Sequence, residues 1–451
     1  MATQFLKIGV LHFLTPNLLL MIGQSFSFSA YENALSYRAM INNKLQNFLE
    51  YGLIKLHKET YCKVLIILAP LLNFLSGLNT DLYTPSMPAI AHYYSASFAA
   101  VKNTVTATLL GFAIGCVIFG ILLDVLGRRR TILLGLFLYM LASFAALICQ
   151  DIMQLILVRF LQGITIATVS VGCRAVIIDS FTGHRFTVAL LYTSLAYGLG
   201  PIIAPFFGGI LQYYIGWKAN FVTYGLASII LMLIFALFVN ESIPKRHTFS
   251  VKKITQNYVM VLKHPIFLTG TFISGLSQII IIMYSTVGSF LVETILHHTP
   301  ITYGNTALLI GCGYLTGTLT SRFLTKKFHL HHLISAGYGL LILGLVLQII
   351  FAIIGDLNLI TLILPIFVMC YSQGLIFPNV MARILRLFLN HAGIAIAVLV
   401  SVCMIIASIG MFCISHIEIN NLTRLAVIFF VVVLLQFFIF LKFFKPQDPL
   451  A

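Results

Sequence analysis

Twelve apolar stretches divide most of the chain: 62–84, 101–123, 131–149, 153–175, 187–212, 219–239, 265–291, 302–323, 333–354, 358–382, 392–415 and 422–444. Each is long enough to cross a hydrocarbon layer of about 30 Å as a helix, which takes about 20 apolar residues. The stretches are continuously apolar and do not alternate with period two. They therefore predict helices rather than a membrane barrel. Gly, Ala, Ser and Thr are scattered among the Leu, Ile and Phe, and small residues let membrane helices approach closely. The longest hydrophilic break inside this region is 240–264. It splits the stretches six and six. The expected fold is an all-α membrane protein of two pseudo-symmetric six-helix bundles, 61–239 and 265–445, joined by a cytoplasmic loop at 240–264.

Composition agrees with a chain solvated mainly by lipid. It is 60% hydrophobic and 9% charged, where soluble domains carry about 25% charged residues. The net charge of +15 resembles a nucleic-acid signal until the charges are placed. With the residues before Lys63 inside the cell and the loops alternating, only Lys102, Lys218 and Arg424 fall outside. This positive-inside bias puts both termini in the cytoplasm and removes the case for a nucleic-acid partner. The eight cysteines have no CxxC or zinc-like spacing and read as packing residues. His297 with His298, and His329 with His331 and His332, crowd two turns; they read as interfacial groups rather than metal ligands. Residues 1–60 stand apart. Their apolar run, followed by SFSA at 27–30, resembles a signal peptide. Cleavage there would invert the topology against the charge count, so an interfacial or poorly ordered extension is expected.

Two charges inside the spans need an explanation. Asp81 lies in LNTDLYTPSMPAI, four residues before Pro85 and seven before Pro88. Arg159 lies in LILVRFLQGIT, eight residues beyond Asp151. At 1.5 Å per residue the two sit at similar depth in the outer half of the membrane. They are expected to pair or to line a wet cavity together. Burial favours the protonated carboxyl and a nearby guanidinium favours the carboxylate, so movement of Arg159 or competition from a substrate would load and unload a proton on Asp81. The structural alternative is a static ion pair at a helix kink, with Arg159 gluing helices.

Three further segments carry candidate roles. GILLDVLGRRR at 120–130 forms a turn between two spans. Gly127 permits the turn, Asp124 accepts hydrogen bonds, and Arg128 to Arg130 are expected at lipid phosphates. The segment reads as a latch between the bundles or as a simple basic turn. It has a weak echo in GTLTSRFLTKK at 317–327. YGLGPIIAPFFGGI at 197–210 places Gly200, Ala204 and Gly208 on one face, with Pro201 and Pro205 bending the helix. It reads as a flexing or leak-sealing helix, or only as a packing helix. In GLIFPNVMARI, Asn379 either lines the cavity or satisfies backbone freed by Pro378. No phosphate-cradling GxxxxGK[ST], HExxH, GxSxG or dinucleotide fingerprint occurs. The chain is therefore expected to be no enzyme and to draw on a gradient, worth about 2.3 kcal/mol per charge per 100 mV.

Together these motifs resemble the major facilitator superfamily, and within it the Bcr/CflA-like drug:proton antiporters. The resemblance covers about residues 62–444. It rests on Gly120, Asp124, Gly127, Arg128 and Arg129 in the loop motif, with Val125 where a basic residue is usual. It rests on Arg159, Gln162 and Gly163 in the fourth helix, and on Gly200, Pro201, Ala204, Pro205, Gly208 and Gly209 in the antiporter motif of the fifth. DLYTPSMP matches at Asp81, Tyr83, Pro85 and Pro88, with Tyr83 and Asn379 as candidate cavity residues. GLIFPN and HAGIAIA look like the tenth and eleventh helices, with Arg383 where a small residue is common. The resemblance implies a monomeric exporter of the bacterial inner membrane that swaps a drug-like amphipathic compound for protons, without a cofactor. Asp81 would bind proton and substrate. A proton-coupled importer, a dedicated metabolite or siderophore exporter, and a non-transporting sensor or scaffold are the alternatives.

Overall fold

The computed structural model describes residues 57–243 and 251–443 together with Ile54, all within the unit Gly52–Ala451. Most of the 1–60 extension and the loop residues 244–250 lie outside the described residues.

All twelve apolar stretches form long helices. They are α1 (Lys58–Asp81), α2 (Phe98–Leu126), α3 (Arg128–Ala145), α4 (Ile152–Ser180), α5 (Gly183–Tyr214), α6 (Lys218–Phe238), α7 (Pro265–Ser289), α8 (Pro300–Leu324), α9 (Leu330–Ile354), α10 (Leu359–Leu385), α11 (Ala392–Ser415) and α12 (Leu422–Phe443). Ten are long and apolar enough to cross a membrane by length and composition alone. The exceptions have local causes: α3 opens on three arginines, and α8 is diluted by Gly and Thr.

Helix ends follow the expected chemistry. The Ser97 hydroxyl accepts from the Ala100 amide at the start of α2, and the Asp151 carboxylate from Gln154 at the start of α4. Asn358 and Thr361 cap α10 reciprocally, which satisfies donors that the first turn leaves free. The central segment differs from the loop expected over 240–264. It contains a short helix, Val251–Leu262, with Val261 buried and Tyr258 and Leu262 packed against the core. Apolar residues at helical spacing explain it, although the segment's charge reads as a loop.

The two halves repeat. In the first, α1 packs on α4, α5 and α6, α2 on α4, and α3 on α4 and α6. Adding six to each number gives the second: α7 on α10, α11 and α12, α8 on α10, and α9 on α10 and α12. The main helix pairs between the halves also exchange under this operation: α2 packs on α11, and α5 on α8. These are the two pseudo-symmetric six-helix bundles of the expected fold.

Small residues set the closest approaches. Gly163 of α4 presses against the Thr108 carbonyl of α2, and Gly111 of α2 against the Phe160 carbonyl of α4. A larger side chain has backbone, not a movable rotamer, in its way. Gly163→Leu is expected to push α4 off α2 at an overpacking cost of about 1–3 kcal/mol. The melting temperature in detergent should fall by several degrees; an unchanged value would contradict this packing.

Candidate functional site

Pro85 dictates the break in the first span. Having no N–H, it leaves the Asp81 carbonyl without its helical donor. The Thr84 hydroxyl takes that place at 2.8 Å. α1 stops at Asp81, a 3₁₀ turn runs over Thr84–Ser86, and a short helix, Met87–Tyr93, completes the span. The break also frees the Asn79 carbonyl. The Tyr224 hydroxyl reaches it at 3.0 Å, and Arg159 Nη2 donates to it at 3.0 Å.

Arg159 and Asp81 go separate ways. No ion pair joins them, and Arg159 does not line the cavity, so neither expected arrangement of the pair holds. Arg159 is fully buried. Its Nη1 donates to Gln162 at 2.9 Å, and its guanidinium lies 4.1 Å from the Tyr83 ring centroid. Gln162 in turn donates to Ser143, and Tyr139 donates to the Asn79 side chain. The result is a closed polar knot among α1, α3, α4 and α6. Every buried charge needs such acceptors, and here backbone carbonyls supply one of them.

Asp81 faces inward. It lines a cavity of about 340 Å³ whose wall draws on α1, α2, α4, α5, α7, α8, α10 and α11. Ser285 of α7, across the boundary between the halves, lines the same cavity within electrostatic reach of that carboxyl. Pro201 and Pro205 also line the cavity, while Gly200 and Gly208 of the same helix pack on α1. Ala204 is buried. Tyr83 and Asn379 do not line it, contrary to expectation. Tyr83 is spent on Arg159 and on a 2.5 Å bond to Thr104; Asn379 donates to Ser321 at 2.8 Å and to the Leu375 carbonyl at 2.7 Å.

Contacts between the halves gather beyond Asp81, at the end carrying Trp217. Tyr303 of α8 donates to Thr84 at 3.2 Å and to the Ser285 carbonyl at 3.0 Å. Its neighbour Gly304 abuts Pro205, and Gly209 abuts Pro300, so a Cβ at Gly209 would lie 2.5 Å from the Pro300 carbonyl oxygen. Phe98 meets Phe290 at 4.4 Å between centroids. Lys102 reaches the Ile417 carbonyl at 3.3 Å, and Ser415 donates to Asn103 at 2.7 Å. One hydroxyl, that of Tyr303, thus ties this seal to both neighbours of Asp81.

The loop motif sits at the other end. Gly127 adopts φ +103°, which only glycine takes readily, while Gly120 has open space beside it. Arg128 pairs with Asp124 and, at 3.1 Å, with Asp179 of α4. Arg129 is fully buried and donates to the Phe235, Ala236 and Val239 carbonyls at the end of α6. A cation is favoured there by the helix dipole. Arg128 and Arg129 thus bind protein rather than the expected lipid phosphates, and Asp124 holds Arg128 rather than the second half. Sequence reasoning missed Glu241. Its carboxylate accepts from the Arg128 amide at 2.8 Å and the Arg129 amide at 3.3 Å, capping α3 from 113 positions away. It also missed Ser285, which lies after an apolar run, and Tyr303, which lies among the polar residues at the start of α8, where neither stands out.

A two-half helical repeat around one central cavity defines a membrane transporter rather than an enzyme, and the comparisons agree. The Major Facilitator Superfamily model matches residues 71–411, and the chain belongs to that family. It is 36% identical to the MFS-type transporter YdgK of Bacillus subtilis over 186 residues, 40% of this chain and 45% of that protein. It is 26% identical to the multidrug transporter MdfA of Escherichia coli O157:H7, over 61% of this chain and 67% of that one. Among solved structures, a D-xylose-proton symporter superposes with a TM-score of 0.71 at 16% identity, covering 87% of this chain and 99% of that one. The chain is a multi-pass integral membrane protein of the class that carries small molecules.

The capping role of Glu241 has a direct test. Glu241→Ala should remove about 1–2 kcal/mol, the scale of a lost helix cap, and lower the melting temperature in detergent more than Asp124→Asn does. An equal or smaller effect would contradict it.

Proposed function

We propose that this transporter is a proton-coupled exporter of amphipathic small molecules in a bacterial inner membrane, of the Bcr/CflA-like kind. The observation that carries the reading is a single carboxylate, Asp81, on the wall of the central cavity at the boundary between the halves. Protonation and substrate binding compete for it. The neutral carboxyl and the carboxylate make different bonds to Ser285. Through Ser285, Thr84 and Tyr303, that difference biases the seal at the Trp217 end. Arg159 acts as a positioning residue, because it fixes the Asn79 carbonyl at the break that aims Asp81 inward.

The basic loops favour the cytoplasm for the Gly127 end, and this reading takes both termini as cytoplasmic. The conformation described is then closed outside, and the halves, joined through 240–264, rock to expose the cavity to the other side. In that other state Asp124 leaves Arg128 and latches the second half. The similarity to MdfA and to the chloramphenicol resistance protein CraA of Acinetobacter baumannii, 23% identical over 312 residues, supports export of drug-like compounds. No cofactor beyond the proton is needed, and one chain encloses the whole cavity, so the working unit is a monomer.

Inside-out vesicles test this. With an acid interior and a pH dye inside, lipophilic cations, neutral antibiotics and acidic amphiphiles are added in turn. At least one class should make the lumen lose protons, and Asp81→Asn should slow that exchange at least tenfold. Exchange undiminished in Asp81→Asn, or none from folded wild type, would overturn the reading in favour of a dedicated carrier or a non-transporting protein.

A further inference from the structure

We infer that Arg174 and Tyr197 form a subsite for an acidic group, so that the transported molecule is an elongated amphiphile bearing a carboxylate or similar oxyanion. This rests on the reading that the central cavity is the transport site.

The cavity wall carries two charged side chains, Asp81 and Arg174. Arg174 lies on α4, fifteen residues beyond Arg159, which is about 22 Å along a helix. The two arginines are treated differently by the fold. Arg159 is buried and donates through both of its terminal nitrogens, while Arg128 is paired with carboxylates and Arg129 with carbonyls. Arg174 is half-buried, faces the cavity, and has no hydrogen-bond or ion-pair partner among the described residues. A half-buried guanidinium on a cavity wall, with no acceptor among the described residues, keeps its donors for what enters the cavity. A ligand oxyanion is bound by the planar fork with two parallel bonds.

Arg174 is six residues short of the end of α4 at Ser180, about 9 Å inside the helix terminus.

The surroundings match an anion with an apolar body. The Tyr197 ring lies 5.9 Å from the Arg174 guanidinium and is within electrostatic range of both Arg174 and Asp81. By helix register it lies at a depth between the two charges. Ser170 is one turn before Arg174 and Ser194 one turn before Tyr197, and both line the cavity; their hydroxyls add donors beside the guanidinium. Elsewhere the wall is largely apolar, with Phe112, Ile202 and Phe377. A molecule lying along this path puts its acidic group on Arg174 and its far end beside Asp81. A lipophilic cation with no acidic group would meet Arg174 as a repulsion.

The test is binding by fluorescence anisotropy to the purified full-length chain in detergent. The probes are 11-(dansylamino)undecanoic acid and its methyl ester, which differ only in the charge at one end. Wild type should bind the acid at least tenfold more tightly than the ester. Arg174→Gln should bring the two within about twofold by weakening the acid alone. Arg174→Lys keeps the charge and loses the fork, so its ratio should fall between. Melting curves establish that each variant is folded, and the wild-type ratio decides the matter even if Arg174→Gln is not. Equal affinity of wild type for both probes, binding of neither, or a preference that survives in folded Arg174→Gln would overturn the inference. Binding needs no proton gradient. Loss of the acid preference with proton exchange intact sinks this inference alone, while absent exchange with the preference intact sinks the exporter reading.

Discussion

The hydrogen bond from Arg159 to the Asn79 carbonyl joins two features that each need the other. A guanidinium buried in the membrane part of a protein needs fixed acceptors. A helix interrupted by Pro85 has a carbonyl to offer. The break satisfies the arginine, and the arginine and Tyr224 hold the break open at one position. Asp81 sits at that position with its side chain in the cavity. Without Pro85 the helix would run on and Asn79 would lose its free carbonyl. Without Arg159 that carbonyl would lose a charged donor in an apolar setting. The carboxylate is thus placed by a structural ion that never touches it.

The same break organises the seal at the Trp217 end. Thr84 exists as a donor to Asp81 because Pro85 cannot be one, and Thr84 is also where Tyr303 docks from the second half. Ser285, on the same cavity wall as Asp81, offers its carbonyl to Tyr303. The Asp81 carbonyl and the seal are therefore linked within two hydrogen bonds, through Thr84 to Tyr303. Most of the remaining closure is steric: Gly209 against Pro300 and Gly304 against Pro205 bring α5 and α8 into backbone contact.

Much of this fold is legible in the sequence, for a physical reason. Lipid forces every backbone group into helices, so long apolar runs name the spans, and exceptions to apolarity name Asp81 and Arg159. The partners of those exceptions are not legible. Arg159 is answered by a backbone carbonyl, which leaves no residue-type signal. Tyr83 and Asn379 look like cavity residues, but each is drawn into a local bond. Glu241 is hidden in a hydrophilic loop although it caps α3. Arg174 disappears into the count of cytoplasmic charges, because it falls at the inner end of the stretch 153–175. The short helix Val251–Leu262 is masked by its lysines. Where a role depends on one helix's rotation against another, periodicity alone does not reach it.

If, as proposed, the charge on Asp81 sets which end of the cavity is closed, the two ends must move with pH. Paired spin labels report this as distances. One pair, at Arg185 and Lys326, spans the Gly127 end; the other, at Ser95 and His297, spans the Trp217 end. Distances would be measured by double electron–electron resonance in lipid nanodiscs across pH 5 to 9. The account predicts that the two distances change in opposite directions with pH, and that Asp81→Asn holds both at their low-pH values throughout. A pH response that persists undiminished in Asp81→Asn would contradict it.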